Sequence, residues 1–575
     1  MNDAPARAGA LAALLWVLLT LRWFDVGAPW RPAALAAVPP WVLLAAFLAA
    51  LGVWLRGRFT SLWGEPLGPM AGGLALVVAL AFFFRLPIAW SGAGAAVTAD
   101  GALSGIVALH VLNGSEHLVF VPQVPYSGSL KSHVAALLAT VIEPARAFAL
   151  ASVLFYLAYA AGLFRLALLV SGPRAALLAG LYAAFSPAFV TRYSLSNDGN
   201  YVEVLALGTW ALWLAARATL EPAERPRLGF LAGLLLGLAF WCHILAVIHL
   251  AALGLLFVAV GRVSAWRPLV ALAAGFALGY APGWLWNLGN DWDSFHYLLP
   301  GAARSIGTGE AGEASVSGFA DTLWLMLTDH APVLMGYDTG YGPVVDRALL
   351  VLAWLGVGMA LLAAAAAARR ALRERSGPLG ALLLFAVVNL GVVLVALPHV
   401  PGNPRYLLFL MSVIPVFLAD AFGRGPVRGP RTAMLGVLIA TGAVASLAQV
   451  PPTLGQDARW RGFVAQLERD GVRHCYTDFF LATRINFLSA ERVVCSAKLG
   501  PFTTEYFFAY RDAVERAPAA ALIPVNRTAA ARLEKRLAEL GVSFERRDLV
   551  KPVLFGLSRK VDPEELFPGR EFPIR

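Results

Sequence analysis

Long apolar segments recur through residues 1–450, with short polar stretches between them. The apolar residues run continuously instead of alternating with polar ones, so the segments predict helices and not strands. Most segments are long enough to cross the roughly 30 Å hydrocarbon core of a bilayer as a helix, which satisfies its own backbone hydrogen bonds. We expect about 13 spans, near residues 9–24, 36–55, 70–90, 146–170, 174–193, 201–218, 228–242, 244–260, 268–287, 347–368, 378–397, 405–422 and 431–449.

Three of these segments allow another interpretation. The first is short and fits an interfacial position as well as a transmembrane one, and the segments near 228–242 and 244–260 run together. The N-terminal run Gly9–Leu21 has no convincing small-residue cleavage site and is followed by further spans. It is therefore not predicted to be a removable signal peptide.

The composition supports an integral membrane protein. Hydrophobic residues make up 59% of the 575 residues and charged residues 14%, whereas soluble domains carry about a quarter charged residues. The mean hydropathy is +0.67. The net charge of +10 comes largely from arginines in loops between apolar segments, which indicates membrane orientation and not nucleic-acid binding.

The loop arginines give the chain an orientation. Arg174, Arg217 and Arg369 belong to Arg-containing loops that all fall on one side under this segmentation. Because positively charged loops stay in the cytoplasm, that side is predicted to be cytoplasmic. The opposite, outer side then holds the loops 91–145, 194–200, 288–346 and 398–404 and the region from about residue 451.

Two of the outer loops are long enough to carry structure of their own. Residues 91–145 contain helix candidates at Ala102–Leu112 and Leu130–Val141, and residues 288–346 contain one near Gly318–Thr328. None is long enough to span a membrane with certainty, so we expect these helices to lie in the interface plane. Loops of this length are commonly functional.

The last part of the chain has a different pattern. From residue 455 onwards charge is dense, and β-like runs alternate with helical patterns at Arg459–Asp470 and Thr528–Leu540. Such alternation predicts a small α/β domain. The β-like runs are Val472–Tyr476, Arg492–Ser496, Ala520–Val525, Val542–Glu545 and Pro552–Leu557.

The chain has three cysteines, and two of them fall in predicted strands of this outer region. Cys475 and Cys495 could form a disulfide if their strands are neighbours, because the outer compartment is oxidising. The alternative is a pair of buried apolar thiols. Cys242 lies at a helix end, and no CxxC metal spacing occurs.

Asp100 is the first candidate for chemistry, because it follows a transmembrane segment and begins a helix on the outer side. A carboxylate at the membrane surface can act as the general base that deprotonates an acceptor hydroxyl. The structural alternative is an N-cap, in which the carboxylate accepts the free backbone N–H groups of the helix. Tyr126 and Lys131 follow in the same loop, which is rich in polar groups suited to a sugar or phosphate but also ordinary for a loop.

Three further candidates begin or end helices on the outer side. Glu203 lies just inside an apolar helix, where an acidic residue is costly unless it has a partner. His243 has either a structural or a substrate-contacting role, and Arg405 either snorkels to the interface or holds a lipid phosphate. Together with Asp100 they would form a site of mixed acid, base and cation at one membrane surface.

Several stretches in order along the chain carry a family resemblance. They are TADGALSGIVALHVLNG, VPYSGSLKSHVAALL, NDGNYVEVLALG, GLLLGLAFWCHILAV, PGWLWNL and GNPRYLLFL, together with the tail stretch GVRHCYTDFFLATRINFLSAERV. With these stretches the chain resembles the bacterial glycosyltransferase family 39-like membrane proteins, relatives of protein mannosyltransferases and aminoarabinose transferases. That family has the GT-C fold.

The resemblance implies transfer of a sugar from a polyprenyl-phosphate carrier to an acceptor on the outer side of the membrane. It assigns the role of catalytic base to Asp100 and places Tyr126, Glu203 and Arg405 at substrate-binding positions. Gly101 stands where many members have a second acidic residue, which argues against paired carboxylates or a metal site.

The expected fold is mainly α, a polytopic bundle of GT-C type with a small extracytoplasmic α/β domain. Residues 1–69 look like an additional N-terminal hairpin, residues 70–450 like the catalytic core, and residues 451–575 form the outer domain. Asn200 replaces a glycine that is common in the family.

The expected reaction is one direct displacement with inversion, in which Arg405, with Lys131 or His243, stabilises the departing lipid phosphate. The partners would be the lipid-linked sugar, a glycan, lipid or protein acceptor of the cell envelope, and membrane lipid, with no nucleic acid. No cofactor is firmly predicted, and a divalent cation stays open. The alternatives are a flippase of lipid-linked sugars, which would often show internal repeats that are not found here, and a non-catalytic scaffold.

Overall fold

The computed structural model describes residues 4–26, 33–63, 68–93, 98–196, 199–261, 266–298, 319–396, 404–423 and 429–567. Parts of the predicted outer loops, residues 94–97, 197–198, 299–318 and 397–403, lie outside the described residues. Every predicted apolar segment contains helix in the structure. In the first 450 residues they are Ala4–Trp23, Ala33–Ala36, Pro40–Trp63, Ala71–Ser91, Ala99–Asn113, Leu130–Ala139, Pro144–Ser171, Pro173–Ala184, Ala188–Tyr193, Tyr201–Leu220, Arg225–Cys242, Val247–Gly261, Trp266–Gly279, Ala281–Asn287, Asp293–His296, Phe319–Leu325, Ala331–Leu334, Pro343–Glu374, Gly377–Ala396, Ile414–Phe422 and Pro430–Ala448.

Shorter helical turns complete this region. A π-helical turn, Met326–His330, continues the helix that begins at Phe319, and 3₁₀ turns occupy Gly68–Met70, Pro222–Glu224, Ile244–Ala246 and Pro404–Ser412. The candidate helix near Gly318–Thr328 thus exists, except that residue 318 itself lies outside the described part of the chain.

The fold class is confirmed, since the chain is a mainly helical, polytopic bundle. Within the described residues, six helical runs are long and apolar enough to cross a membrane: Ala71–Ser91, Pro144–Ser171, Pro222–Cys242, Pro343–Glu374, Gly377–Val395 and Pro430–Arg469. Two pairs of helices, bent by 68° at Tyr280 and by 52° at Val413, bring the number to as many as eight. The other predicted segments form shorter or more polar helices, so a count of about 13 spans stays a prediction.

Small residues allow two core helices to pack backbone against backbone. A Cβ atom on Gly233 would lie 2.0 Å from the carbonyl oxygen of Leu272, and one on Gly275 would lie 2.0 Å from that of Phe230. Because apolar helices in lipid gain little from hydrophobic contact with each other, close packing at glycines is a main source of their association. The contact joins Arg225–Cys242, which ends at the candidate site, to Trp266–Gly279.

The C-terminal region contains a five-stranded sheet, as the alternating pattern predicted. We number the strands β1 (Phe120–Val121), β2 (Val124–Gly128), β3 (His474–Tyr476), β4 (Val494–Ser496), β5 (Ala521–Leu522), β6 (Glu545–Asp548) and β7 (Pro552–Phe555). The order in the C-terminal sheet is β4-β3-β5-β7-β6, with β3 parallel to both β4 and β5. Its helices are Val450–Arg469, Phe479–Leu488, Phe508–Arg516, Arg527–Glu539 and Pro563–Leu566.

One strand of this sheet is displaced from its predicted position. The run Val542–Glu545 overlaps the observed β6 only at Glu545, because the antiparallel register with β7 pairs Glu545 with Phe555 and Asp548 with Pro552. The strand that forms is charged and lies at the sheet edge, where charged side chains discourage pairing with another chain.

Cys475 and Cys495 are register partners on the neighbouring parallel strands β3 and β4, and they form a disulfide. Their Cα atoms are 4.4 Å apart. Of the two possibilities left by the sequence, the disulfide is therefore the one that the structure has. Cys242 is buried as a free thiol.

The helix of the first outer loop is covered by other parts of the chain, and its position in the membrane interface stays a prediction. Ala99–Asn113 is buried along most of its length, because Leu130–Ala139 covers it on one side and Phe479–Leu488 of the C-terminal region covers it on another. A Cβ atom on Gly105 would lie 2.5 Å from the Phe487 ring, so this contact requires a glycine. The sequence pattern predicts this helix but not its neighbours, which are Leu130–Ala139 and Phe479–Leu488.

Candidate active site

The side-chain amide of Asn200 ties together the segments that carry Tyr126, Glu203 and His243. Its nitrogen lies 2.9 Å from Ser127 Oγ, 2.6 Å from the Gly128 carbonyl oxygen and 3.0 Å from the Cys242 carbonyl oxygen. Asn200 has a left-handed backbone with φ of 60°, which asparagine adopts more readily than most residues. The amide therefore fixes β2 against the end of helix Arg225–Cys242.

Tyr126 and His243 meet because of this attachment. Ser127 forms an isolated antiparallel bridge with His243, and a Cβ atom on Gly128 would lie 2.1 Å from the Trp241 carbonyl oxygen. The ring centroids of Tyr126 and His243 are 5.6 Å apart in an edge-on arrangement. His243 is itself buried, and its Nδ1 accepts the backbone N–H of Leu245 at 3.1 Å.

Arg405 is joined to the Tyr126 and His243 rings through the ring of Tyr201. The Tyr201 ring is 5.0 Å from the His243 ring, and the Arg405 guanidinium carbon is 5.7 Å from the Tyr201 centroid and 5.3 Å from the Tyr406 centroid. Arg405 Nη2 also donates to the Tyr406 hydroxyl at 3.3 Å. Stacking on aromatic faces suits a guanidinium, which binds a phosphate in the same plane through its N–H groups.

Asp100 is exposed in the first turn of Ala99–Asn113, and it is not the N-cap of that helix. The cap is Thr98, whose hydroxyl accepts the Gly101 N–H at 3.1 Å. The structural alternative for Asp100, a capping carboxylate, is therefore wrong. The position at a helix N-terminus favours a negative charge on Asp100.

The Asp100 carboxylate affects the pKa of Tyr126. Burial raises the pKa of the Tyr126 hydroxyl, and the Asp100 carboxylate raises it further, whereas Arg405 lowers it. Tyr126 thus lies within electrostatic range of both the carboxylate and the guanidinium, which are the two charges that the proposed chemistry needs at one place.

Tyr506 and Tyr297 are members of the site that sequence reasoning missed. Burial raises the pKa of Tyr506 to about 12, and Asp100 and Tyr297 add to the effect. The Tyr297 ring lies 4.8 Å from the Tyr126 ring. Tyr506 belongs to the C-terminal region and Tyr297 to the outer loop after Asn287, and neither lies in a motif that would have marked it.

Lys131 and Glu203 form a buried ion pair with each other. Lys131 Nζ lies 3.2 Å from Glu203 Oε1 and 3.3 Å from Oε2, and the side chains are 1% and 0% exposed. Glu203 lies two residues from Tyr201 on the same helix, so the ion pair holds the helix that carries Tyr201. The expectation that Glu203 needs a partner is met by Lys131.

Within the described residues, no group of three or more His, Cys, Asp or Glu side chains is arranged to hold a metal ion. The possible divalent cation thus has no built site among these residues.

The C-terminal region is held against the first outer loop by a cluster around His110. His110 Nδ1 is 2.8 Å from Glu116 Oε2, and His110 Nε2 is 2.8 Å from Glu491 Oε1, to which the Tyr510 hydroxyl donates at 2.5 Å. Burial lowers the pKa of His110, but the hydrogen bonds with the two glutamates outweigh it and raise the pKa to about 9. The cluster therefore carries a charged histidine at neutral pH, ten residues from Asp100.

The fold is similar to that of ArnT from Cupriavidus metallidurans, solved bound to undecaprenyl phosphate. The TM-score is 0.58 at 13% sequence identity, and the match covers 84% of this chain and 98% of that chain. The chain has the GT-C fold. No protein-family model matches the sequence, and no curated protein matches it significantly.

Structures of an archaeal oligosaccharyltransferase match more weakly. AglB from Archaeoglobus fulgidus in complex with an inhibitory peptide and a dolichol-phosphate has a TM-score of 0.44 at 13% identity, over 82% of this chain and 70% of that chain. The Archaeoglobus fulgidus oligosaccharyltransferase tethered to an acceptor peptide has a TM-score of 0.46 at 12% identity, over 87% and 75%.

We expect substitutions of Asn200 to separate its hydrogen bonds from its backbone conformation. Asn200→Gly keeps the left-handed backbone but leaves buried acceptors without their donor, at a cost of about 2 kcal/mol. Asn200→Ala adds about 1–2 kcal/mol because alanine adopts that backbone poorly. Chemical unfolding in detergent should rank wild type above the glycine variant and that above the alanine variant. Equal stability of wild type and Asn200→Gly would show that the amide does not hold β2 in place.

We expect the His110 cluster to weaken as the pH rises. Because the folded pKa of about 9 exceeds the unfolded value of about 6.5, the stabilisation is complete below about pH 6.5 and disappears as the pH passes about 9. The melting temperature of His110→Gln should therefore be lower than that of wild type at pH 6.5, and the difference should shrink by pH 10. A matched control is His296→Gln, since His296 is exposed beside Asp293. A constant difference for His110→Gln across this range would contradict the assignment.

Proposed function

We propose that this protein is a membrane glycosyltransferase that moves a sugar from a polyprenyl-phosphate carrier to an acceptor hydroxyl on the outer side of the cytoplasmic membrane, with inversion. One observation carries the proposal: the Tyr126 ring lies within electrostatic range of the Asp100 carboxylate and is joined through the His243 and Tyr201 rings to the Arg405 guanidinium. The fold of the chain is similar to that of ArnT, solved bound to undecaprenyl phosphate. A base and a phosphate-binding cation at one membrane-facing site are what this transfer requires.

Asp100 acts as the general base of a single displacement. Its carboxylate takes the proton of the acceptor hydroxyl while the hydroxyl oxygen forms a bond to the anomeric carbon. The bond from that carbon to the carrier's phosphate oxygen breaks, and its electron pair leaves with the phosphate. Attack from the side opposite the leaving group inverts the anomeric carbon.

Arg405 holds the carrier's phosphate and stabilises the charge that it gains. The guanidinium is already oriented by the Tyr201 and Tyr406 rings, so little reorganisation is needed when the leaving group develops its charge. Tyr126 and His243 line the space between base and cation and exclude water from it.

Lys131 and Glu203 hold two helices of the site in position and do not contact the substrates. Removing one member of a buried ion pair leaves an uncompensated charge, which is strongly destabilising. The pair anchors helix Tyr201–Leu220, and with it Tyr201, relative to helix Leu130–Ala139. In this proposal Lys131 does not contact the lipid phosphate, and Glu203 does not contact the sugar.

The orientation follows from the loop arginines. The cytoplasmic side carries the Arg-rich loops, and the outer side carries Asp100, Arg405 and residues 451–575. Residues 70–450 form the catalytic core, and residues 1–69 are an added hairpin. Glycan, lipid and protein of the cell envelope are the classes of acceptor to be compared.

We expect Asp100→Asn to reduce sugar transfer by at least about 100-fold, because the amide cannot take the acceptor's proton. The measurement is transfer of radiolabel from a panel of polyprenyl-phosphate sugars to cell-envelope acceptors, with purified protein in lipid. The matched control is Asp512→Asn, since Asp512 is exposed in the C-terminal region. Wild-type transfer by Asp100→Asn would refute the base assignment. Absence of transfer from every donor by folded wild-type protein would favour a flippase.

We expect Arg405→Gln to weaken binding of the carrier and to slow transfer together, because the guanidinium contacts the phosphate both before and during the reaction. Arg405→Lys should recover part of the affinity, since it keeps the charge but loses the planar fork. Competition by unglycosylated polyprenyl phosphate measures the affinity independently of turnover. An unchanged inhibition constant in Arg405→Gln would place the phosphate elsewhere.

A further inference from the structure

A cavity of about 360 Å³ lies beside the start of the helix that carries Asp100. Thr98 lines it on that side, and Arg192, Tyr337, Asp338, Gln449 and Gln456 line it on others. Its volume is within the roughly 300–1,000 Å³ of small-molecule sites. None of these residues has a role in the displacement described above, although the cavity begins two residues from the proposed base.

One wall of the cavity is a prearranged set of polar groups. Gln449 Nε2 donates to Asp338 Oδ2 at 2.5 Å and lies 2.6 Å from the Tyr341 hydroxyl, which donates to Asp338 at 3.0 Å. The other carboxylate oxygen, Asp338 Oδ1, accepts the Thr339 N–H at 2.9 Å. The charge of Asp338 is thus compensated by neutral donors, and the wall presents carboxylate and amide oxygens that can accept hydrogen bonds from the hydroxyl groups of a ligand.

The floor of the cavity is a chain of hydroxyl groups that begins at a buried cation. Arg85, which is fully buried, donates to Ser186 Oγ at 2.8 Å, and Ser186 Oγ lies 3.0 Å from Thr191 Oγ1. Ser446 Oγ donates to Thr191 at 3.1 Å, and both of these residues line the cavity. Because ionisable residues inside a membrane bundle are costly, they are seldom present without a function.

The remaining lining is apolar and partly aromatic. Phe189 and Tyr337 contribute rings, and Ile88 and Val333 contribute aliphatic groups. Among the described lining residues, Arg192 and Asp338 are the charged ones, so the lining has no net charge. A phosphorylated ligand would require clustered cations, and an acyl chain would require an apolar wall in place of the amides and hydroxyls.

We propose that this cavity binds the acceptor and that the acceptor is a carbohydrate. A sugar ring combines hydroxyl groups, which match the amides and hydroxyls of the wall and floor, with C–H faces that pack on aromatic rings. The inference rests on the proposed function, because it places the acceptor hydroxyl beside Asp100. It narrows the acceptor from glycan, lipid or protein to glycan.

The test removes polar groups of the cavity without touching Asp100 or Arg405. Thr453 and Gln456 lie on helix Val450–Arg469 and line the cavity, whereas Arg459 of the same helix is exposed and does not. The double variant Thr453→Ala/Gln456→Ala should raise the KM for a glycan acceptor about tenfold, the loss of one to two hydrogen bonds, and leave the KM for the donor unchanged. Arg459→Ala should leave both unchanged.

A binding measurement keeps the two proposals distinguishable. Fluorescent oligosaccharides are titrated against wild type and the double variant in lipid nanodiscs, without a donor. Weaker binding by the double variant supports the carbohydrate site, even if wild type transfers no sugar and the proposed function fails. Sugar transfer to a lipid or peptide acceptor with a KM that the variant leaves unchanged overturns the carbohydrate site and leaves the proposed function standing. Equal oligosaccharide binding by both proteins also overturns it.

Discussion

The arrangement of the candidate site depends on one buried amide. Asn200 holds a strand of the first outer loop and the end of a core helix in a single hydrogen-bonding group, and the helix that begins at Tyr201 starts directly after it. Buried backbone carbonyls need donors, and β2 and the helix end at Cys242 find theirs in the same side chain. Tyr126, Tyr201 and His243 therefore share one local frame, although the segments that carry them are separated along the chain.

The C-terminal region completes this frame from outside. Phe487 packs where Gly105 leaves room, the His110 cluster adds charged hydrogen bonds, and Tyr506 comes to lie near Asp100. Asp100 thus lies at the start of the buried helix Ala99–Asn113 and near the loop of the C-terminal region that carries Tyr506. A change in how this region sits on Ala99–Asn113 would alter the surroundings of the carboxylate directly, so the region belongs to the site's construction and not only to its periphery.

Sequence reasoning predicted the parts of this protein that depend on local pattern. Continuous apolar runs predicted the helices, and short β-like runs that alternate with helical patterns predicted the C-terminal strands. Positions at helix ends marked Asp100, His243 and Arg405 as candidates, and their roles stay predictions. What it missed depends on contacts between distant segments: the burial of Ala99–Asn113, the place of Tyr506, and the pairing of Lys131 with Glu203, which were named as separate candidates. The sequence alone does not show that Lys131 and Glu203 form an ion pair, because the pairing depends on how their two helices pack.

The distribution of charge explains why a site of this kind suits displacement of a lipid phosphate. The Lys131–Glu203 pair is neutral as a unit, so among the candidate residues that the structure describes, Asp100 and Arg405 supply the charges that the proposed reaction uses. During the proposed reaction Asp100 becomes neutral as it takes the proton, while the departing phosphate gains negative charge beside Arg405. Negative charge thus moves away from the base and towards the cation. Between them lie the phenol rings of Tyr126 and Tyr201 and the imidazole ring of His243. Because the guanidinium is already held against the Tyr201 and Tyr406 rings, it can stabilise the charge that develops on the phosphate with little reorganisation.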